Sequence, residues 1–292
     1  MGSTSKSSRK DRKFKLSREA RQRIDNEFSE AEEGYSNYEK PQVPKRKHRL
    51  LKKLVIRLTV LGLAVIAVNL AVLFFTGSIW FNEPRKRDFP VRGPVITQKQ
   101  GKVDWKRFAS QNLQMVYIRA TKGTVFVDER LSENKRDSKN CGVPCGFLHI
   151  MELKIDGREQ AEHFIKTVGK QSGRLIPAVE VGLSGFYHVF SPDYDKLKNE
   201  LFKFCERIRE EYGCYPVIKI GAKMYDKLDY KSEFSHCPLW IESEYSKPDE
   251  GIDYTFWGYS SRVKYRYYDE AGFLEMAVYS SDEADLEKNM MV

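Results

Sequence analysis

With 292 residues, 41% of them hydrophobic, the chain can bury one good-sized core and still carry accessory segments, which excludes a wholly unstructured protein. A formal net charge of +9 raises nucleic acid, anionic lipid and an acidic polymer as partner classes. The choice among them depends on where the basic residues lie, and they crowd near the front.

Residues 1–53 are rich in Lys and Arg and poor in large apolar side chains beyond scattered ones such as Phe14 and Leu16, a composition that predicts disorder. From Leu58 to Phe75 the chain is then apolar except for Thr59, Gly62 and Asn69. Apolar residues cover every face of this run, and its length is about that of a bilayer span, so 54–76 reads as a transmembrane helix and not as a core helix. A cleaved signal is disfavoured by the length of the run, its distance from Met1 and the lack of a small-residue site after it. Lys45, Arg46, Lys47, Arg49, Lys52, Lys53 and Arg57 precede the run, against Arg85, Lys86, Arg87 and Arg92 after it. That bias puts the N-terminus in the cytoplasm and everything past Trp80 and Phe81, which suit the outer interface, outside it. The basic segment is thereby explained as a topology signal, and no nucleic-acid partner is expected.

A linker over 77–92 carries Pro84 and Pro90, and a tail over 282–292 closes the chain. Between them, 93–281, short apolar runs alternate with helical patterns, the mark of an α/β protein with parallel strands. Strands are expected near 94–97, 115–120, 146–151, 176–181, 216–220, 239–242, 254–259 and 273–279. About five helices lie between the first six, near 105–112, 129–139, 158–170, 194–212 and 223–230. Eight strands are the number at which a parallel barrel closes, so the fold class is a TIM-like (β/α) barrel behind one membrane helix. The clearest helix sets Leu197, Leu201, Phe204, Ile208 and Tyr212 at three- and four-residue steps, with Asp193 as cap and Gly213 as stop. In such barrels ligands bind at the C-terminal strand ends. All five cysteines follow the span; Cys141 and Cys145 suit a small loop bridge better than zinc, with connectivity open.

Certain residues carry a resemblance. Gly101, Val103, Asp104 and Trp105, then 118–123 (Ile-Arg-Ala-Thr-Lys-Gly), then Gly146 with His149, resemble the opening third of glycoside hydrolase family 25, the lysozymes that cut peptidoglycan. Gln160, Ala161, Phe164 and Ile165 resemble the family's helix before its acidic strand. Tyr212-Gly213, 216–218, 239–241, 245–248 and 256–259 resemble its second half, so the likeness runs in unbroken order over 89–279. It implies an eight-stranded barrel, peptidoglycan or a related glycan as partner, and no cofactor.

Glycoside cleavage ordinarily uses one carboxylic acid to protonate the leaving oxygen and a second carboxylate at the anomeric centre. The resemblance places an Asp of the first strand at Val95, an Asp-x-Glu pair at Glu180-Val181-Gly182, and an Asp of the last strand at Glu275. Glu180 and Glu275 are therefore the remaining catalytic candidates, and the proton donor has become Gly182. Glu180 shares its strand face with residue 182 but stands about 6.5 Å away along the strand, too far to take over the original geometry. The family's Glu before glycine is Lys122, its Tyr beside the cleft histidine is Leu148, the Tyr ending its fifth strand is Lys219, the Gln of its Trp-Gln-Tyr is Gly258, and the Asn near the last acid is Ala277. These departures point to a pseudoenzyme.

Candidate ligand contacts are His149, Lys122, Lys219, Trp257 and Tyr259. His149 reads equally well as a packing residue, and so do Trp257 and Tyr259. Lys122 and Lys219 at the mouth favour an anionic ligand, or else are solvated. Trp105 and Trp240 read as core; Glu242 and Glu244 share a face that a solvated edge also explains. His163, His188 and His236 have no partners at ligand spacing, so no metal is assigned. Three functions remain: a membrane-anchored glycan- or partner-binding barrel, an active glycosidase using Glu180 and Glu275, and a membrane scaffold working through its basic N-terminal segment.

Overall fold

The computed structural model describes residues 17–36, 45–111, 113–170, 172–182, 192–269, 272–288 and 290–291. They fall into two compact units, Met1–Val68 and Asn69–Val292. The first holds α1 (Arg18–Ser36) and most of α2 (Lys45–Phe75). Disorder was the expectation for α1, yet its Arg, Glu and Ala residues have high helix propensity and need no core to form a helix, and Ser17 Oγ accepts the Ala20 N–H at its start. Along α2 the apolar side chains from Leu54 to Leu73 are all exposed. The stretch His48–Phe75 is long and apolar enough to cross a membrane.

The second unit contains β1 (Arg92–Ile96), α3 (Trp105–Ala109), β2 (Val116–Lys122), β3 (Phe126–Val127), α4 (Leu131–Lys139), β4 (Cys145–Ile150), α5 (Gly157–Val168), β5 (Ala178–Glu180), α6 (Tyr194–Tyr212), β6 (Val217–Gly221), α7 (Ala222–Lys227), α8 (Tyr230–Glu233), β7 (Leu239–Glu242), β8 (Phe256–Val263), β9 (Leu274–Tyr279) and α9 (Glu283–Lys288). The strand order β1-β9-β8-β7-β6-β5-β4-β2, closed by pairing of β1 with β2, makes an eight-stranded barrel, with β3 added as a short hairpin arm on β2.

One feature departs from an all-parallel barrel. β9 runs antiparallel to both β8 and β1. Among its described residues the connection from Val263 to Leu274 carries no helix, and the chain turns back instead of crossing over. The N-terminal end of β9 therefore lies at the same rim as the C-terminal ends of the other strands, which brings Glu275 opposite Val95 at the mouth.

Alternation along the strands sorts the core into two layers. Val95, Tyr117, Leu148, Ala178, Val217, Trp240, Phe256, Ala277 and Tyr279 fill the barrel interior. Ile96, Ile118, Phe147, Val179, Ile218 and Ile241 face outward into the layer between sheet and helices, and Trp257 and Tyr259 face outward onto the segment carrying Trp80 and Phe89. Helix α6 starts at Asp193, whose carboxylate accepts the Lys196 N–H, and stops at Gly213 in the left-handed conformation. It packs on α5 so closely that a Cβ at Gly157 would overlap the Glu200 carbonyl oxygen. The five cysteines are free thiols, Cys141 and Cys145 included, so the expected loop bridge is not formed.

Candidate active site

The interior rule that buries Val217 in β6 also turns Lys219, two residues on, into the barrel, and turns Glu180 of β5 and Glu242 of β7 toward it from either side. Lys219 Nζ lies 2.8 Å from Glu180 Oε2 and 3.1 Å from Glu242 Oε1, and it contacts Glu275 Oε1. Below it the Trp240 ring, 5.4 Å away, forms a floor that favours a cation by its quadrupole. The lysine side chain is 1% exposed while its three partners are about a quarter to a third exposed, so the carboxylates form the rim and the ammonium the base of the mouth.

The charges in this cluster do not titrate independently. Burial works against the charge on Lys219, but Glu180, Glu242 and Glu275 outweigh it and hold the ammonium well above the ordinary lysine range. Burial raises Glu242, yet the attraction of Lys219 and hydrogen bonds from Lys219 and Glu275 bring its carboxyl below the usual range. Glu275 goes the other way. Burial, opposed by Lys219 and reinforced by the charges of Glu242 and Glu180, pushes it up to about 8. At neutral pH the mouth thus holds the Lys219 ammonium beside an ionised Glu242 and a Glu275 that keeps its proton.

Around this cluster the sequence candidates separate. Val95 is an interior residue 4% exposed, paired in register with Glu275, and supplies no charge. Gly182 is exposed just past β5, and among the described residues a Cβ built there would meet only Glu180 Oε1, at 3.6 Å. Lys122 ends β2 half-exposed and pairs with Glu152 at 3.4 Å. Lys219 does not offer a free positive charge to a ligand, because three carboxylates already surround it.

His149, Trp257 and Tyr259 lie outside the mouth. His149 faces outward from β4, stacks on Phe204 at 5.0 Å, and hydrogen-bonds through Nδ1 with Thr121 Oγ1 and through Nε2 with Gln160 Oε1. Its complete burial pushes its pKa down to about 3, so it is a neutral packing residue. Trp257 is edge-on to Phe89 and donates its indole N–H to the Ser243 carbonyl; Tyr259 packs edge-on against Trp257. Strand alternation gave their shared face correctly, but that face points out of the barrel, onto the segment that carries Trp80 and Phe89. Glu242, which the sequence left open between a shared face with Glu244 and a solvated edge, belongs to the mouth. The signal was present, since an interior Trp240 places residue 242 inside as well.

Among the described residues the buried Trp240 indole N–H has no partner; it lies close to Gly258, where a Cβ would come within 3.0 Å of it. Among the described residues no group of His, Cys, Asp and Glu side chains is arranged to hold a metal ion, and His188 lies outside the described residues.

The family model of the glycosyl hydrolases family 25 matches residues 96–266. Uncharacterized protein YegX of Escherichia coli K12 is 25% identical over 181 residues, 60% of this chain and 64% of its own length, and the autolytic lysozyme of Clostridium acetobutylicum is 26% identical over 169 residues, 58% and 49%. The chain thus spans less than two thirds of the length of these curated relatives. Among solved structures, a family 25 glycosyl hydrolase from Bacillus anthracis is 25% identical with a TM-score of 0.67, covering 72% of this chain and 97% of that one. A bacterial lysozyme from Streptomyces coelicolor shares the fold at 22% identity and a TM-score of 0.60, covering 68% and 96%. With its closed barrel, its acidic mouth and a match spanning more than half its length, the chain belongs to the glycosyl hydrolases family 25.

Proposed function

We propose that this protein is a membrane-tethered, lysozyme-like barrel that binds peptidoglycan or a related glycan at the cell envelope and has lost most or all of its hydrolase activity. In this reading α2 spans the membrane, the N-terminus is cytoplasmic and the barrel is extracytoplasmic; the length and apolarity of the 58–75 stretch of α2 and the excess of basic residues before that stretch support that arrangement. The glycan class follows from the family and from relatives named lysozymes.

The observation that carries the loss of activity is the Lys219 ammonium seated among the three mouth carboxylates while Gly182 stands at the donor's place. An ion-paired carboxylate is a weaker nucleophile and a poorer base than a free one. Loss of a positioned general acid typically costs about 10² to 10⁴ in rate. The test is incubation of the purified full-length chain with peptidoglycan and assay of new reducing ends. No turnover is expected; turnover abolished by Glu180→Gln would overturn this reading.

A second reading has one specific observation in its favour. Glu275, pushed up to about 8, holds a proton at neutral pH and is therefore a general acid in the correct ionisation state. Under this reading Glu275 protonates the leaving oxygen, Glu180 or Glu242 faces the anomeric carbon, and turnover disappears in Glu275→Gln.

A further inference from the structure

At the barrel end opposite the mouth, a groove of about 820 Å³ is bounded by α4, the chain entering β4, the turn before β5 and the segment after α9. Its lining is strongly basic: Lys135, Arg136, Lys139, Lys170 and Arg174, against one acid, Glu287. Arg136 is neutralised by Asp137 at 2.7 Å. Among the described residues no carboxylate lies within ion-pair distance of Lys135, Lys139, Lys170 or Arg174.

Two of these cations have structural duties that fix their positions. Lys135 Nζ donates to the Val168 carbonyl at the end of α5 (2.6 Å), and Arg174 Nη2 donates to the Lys135 carbonyl within α4 (3.2 Å). Both sit over the buried Phe147 ring, at 5.9 and 5.3 Å. The two helix C-termini offset only roughly half a charge each. After Asp137 and Glu287 are counted as well, a surplus of about two positive charges remains in one groove. The strain is visible at Lys135, whose pKa is lowered first by burial and then by the facing Arg174. Cations fixed by their own hydrogen bonds and stacked on one ring, with donors to spare on several sides, match the tetrahedrally arranged acceptor oxygens of a phosphate group better than a planar carboxylate.

We propose that this groove binds a phosphate group, supplied either as free phosphate or as a glycerol phosphate ester. Lys139 and Lys170, both exposed, close over the anion, and Arg174 supplies the planar donors beneath it. The site is independent of the mouth and of any hydrolytic activity there.

The test is calorimetric titration of the full-length chain in neutral-detergent micelles with inorganic phosphate, glycerol 3-phosphate and glycerophosphoglycerol, each against chloride at equal ionic strength. Binding above the chloride baseline is expected, with an affinity reduced tenfold or more in the K139E/K170E double variant, whose exposed positions leave the fold intact by circular dichroism. Tighter binding of glycerophosphoglycerol assigns the ligand to a phosphodiester headgroup or polymer; tighter binding of inorganic phosphate assigns it to the free anion. A response to all three phosphates no greater than to chloride, or undiminished in the double variant, overturns the proposal.

Discussion

Lys219 of β6 and Glu275 of β9 meet across the barrel mouth although two strands separate them in the sheet, and Glu180 and Glu242 close the same ammonium from its neighbouring strands. Removing the lysine should expose what it neutralises. Lys219→Met is expected to destabilise the barrel by about 3–5 kcal/mol at pH 7, because it leaves carboxylates crowded without a counter-charge. Most of that loss should be recovered near pH 4, where the carboxylates take up protons. Urea melts of the variant at the two pH values check this.

Glu275 makes its own contribution to the pH dependence. Its folded pKa of about 8 lies above the unfolded value of 4.5, so the folded state binds the extra proton between them. Stability from this group is complete below about pH 4.5 and is lost as pH rises through 8. In Glu275→Gln the decline in melting temperature over that interval should flatten, and a decline equal to that of the wild type would show that the proton resides elsewhere.

His149 slopes in the opposite sense. Its folded pKa of about 3 lies below the unfolded 6.5, so its contribution is present above pH 6.5 and is lost as pH falls toward 3. Replacement by Gln, which keeps a donor and an acceptor for Thr121 and Gln160, should weaken the acid-side loss of stability in thermal scans.

Under the proposed function, Gly182 stands where a proton donor is lacking. Gly182→Glu should fold with a melting temperature close to that of the parent, since among the described residues its Cβ meets nothing nearer than Glu180 Oε1 at 3.6 Å. Paired with Lys219→Tyr, which frees the carboxylates, it should raise reducing-end release from peptidoglycan about 10² or more above that of Lys219→Tyr alone. No increase would mean that more than the donor has been lost.

Trp257 offers a separation of packing from binding. Trp257→Ala should cost about 3–5 kcal/mol in stability by leaving a cavity beside Phe89, with little change in glycan affinity of the folded fraction. Denaturant melts and sedimentation with insoluble peptidoglycan distinguish the two effects.

Much of this molecule was legible from local pattern. Alternation of short apolar runs with helical ones fixed the number and order of the barrel strands, and helix α6 was bounded to the residue because its cap, its stripe and its stop all lie in the chain itself. The uniform apolarity of 58–75 marked α2 in the same local way. The two-residue strand β3 left no such signal, being too short for a period.

What the sequence could not decide was direction. Periodicity says which residues share a strand face, not whether that face looks into the barrel or toward the helices. That choice is made by closure of the sheet, which sent Trp257, Tyr259 and His149 outward and Lys219, Glu180 and Glu242 inward. Nor does a strand's sequence state its sense; the turn-back of β9 placed Glu275 at the mouth. Charge at a site depends on distances between residues far apart in the chain, and only the closed barrel brought one lysine within reach of three carboxylates.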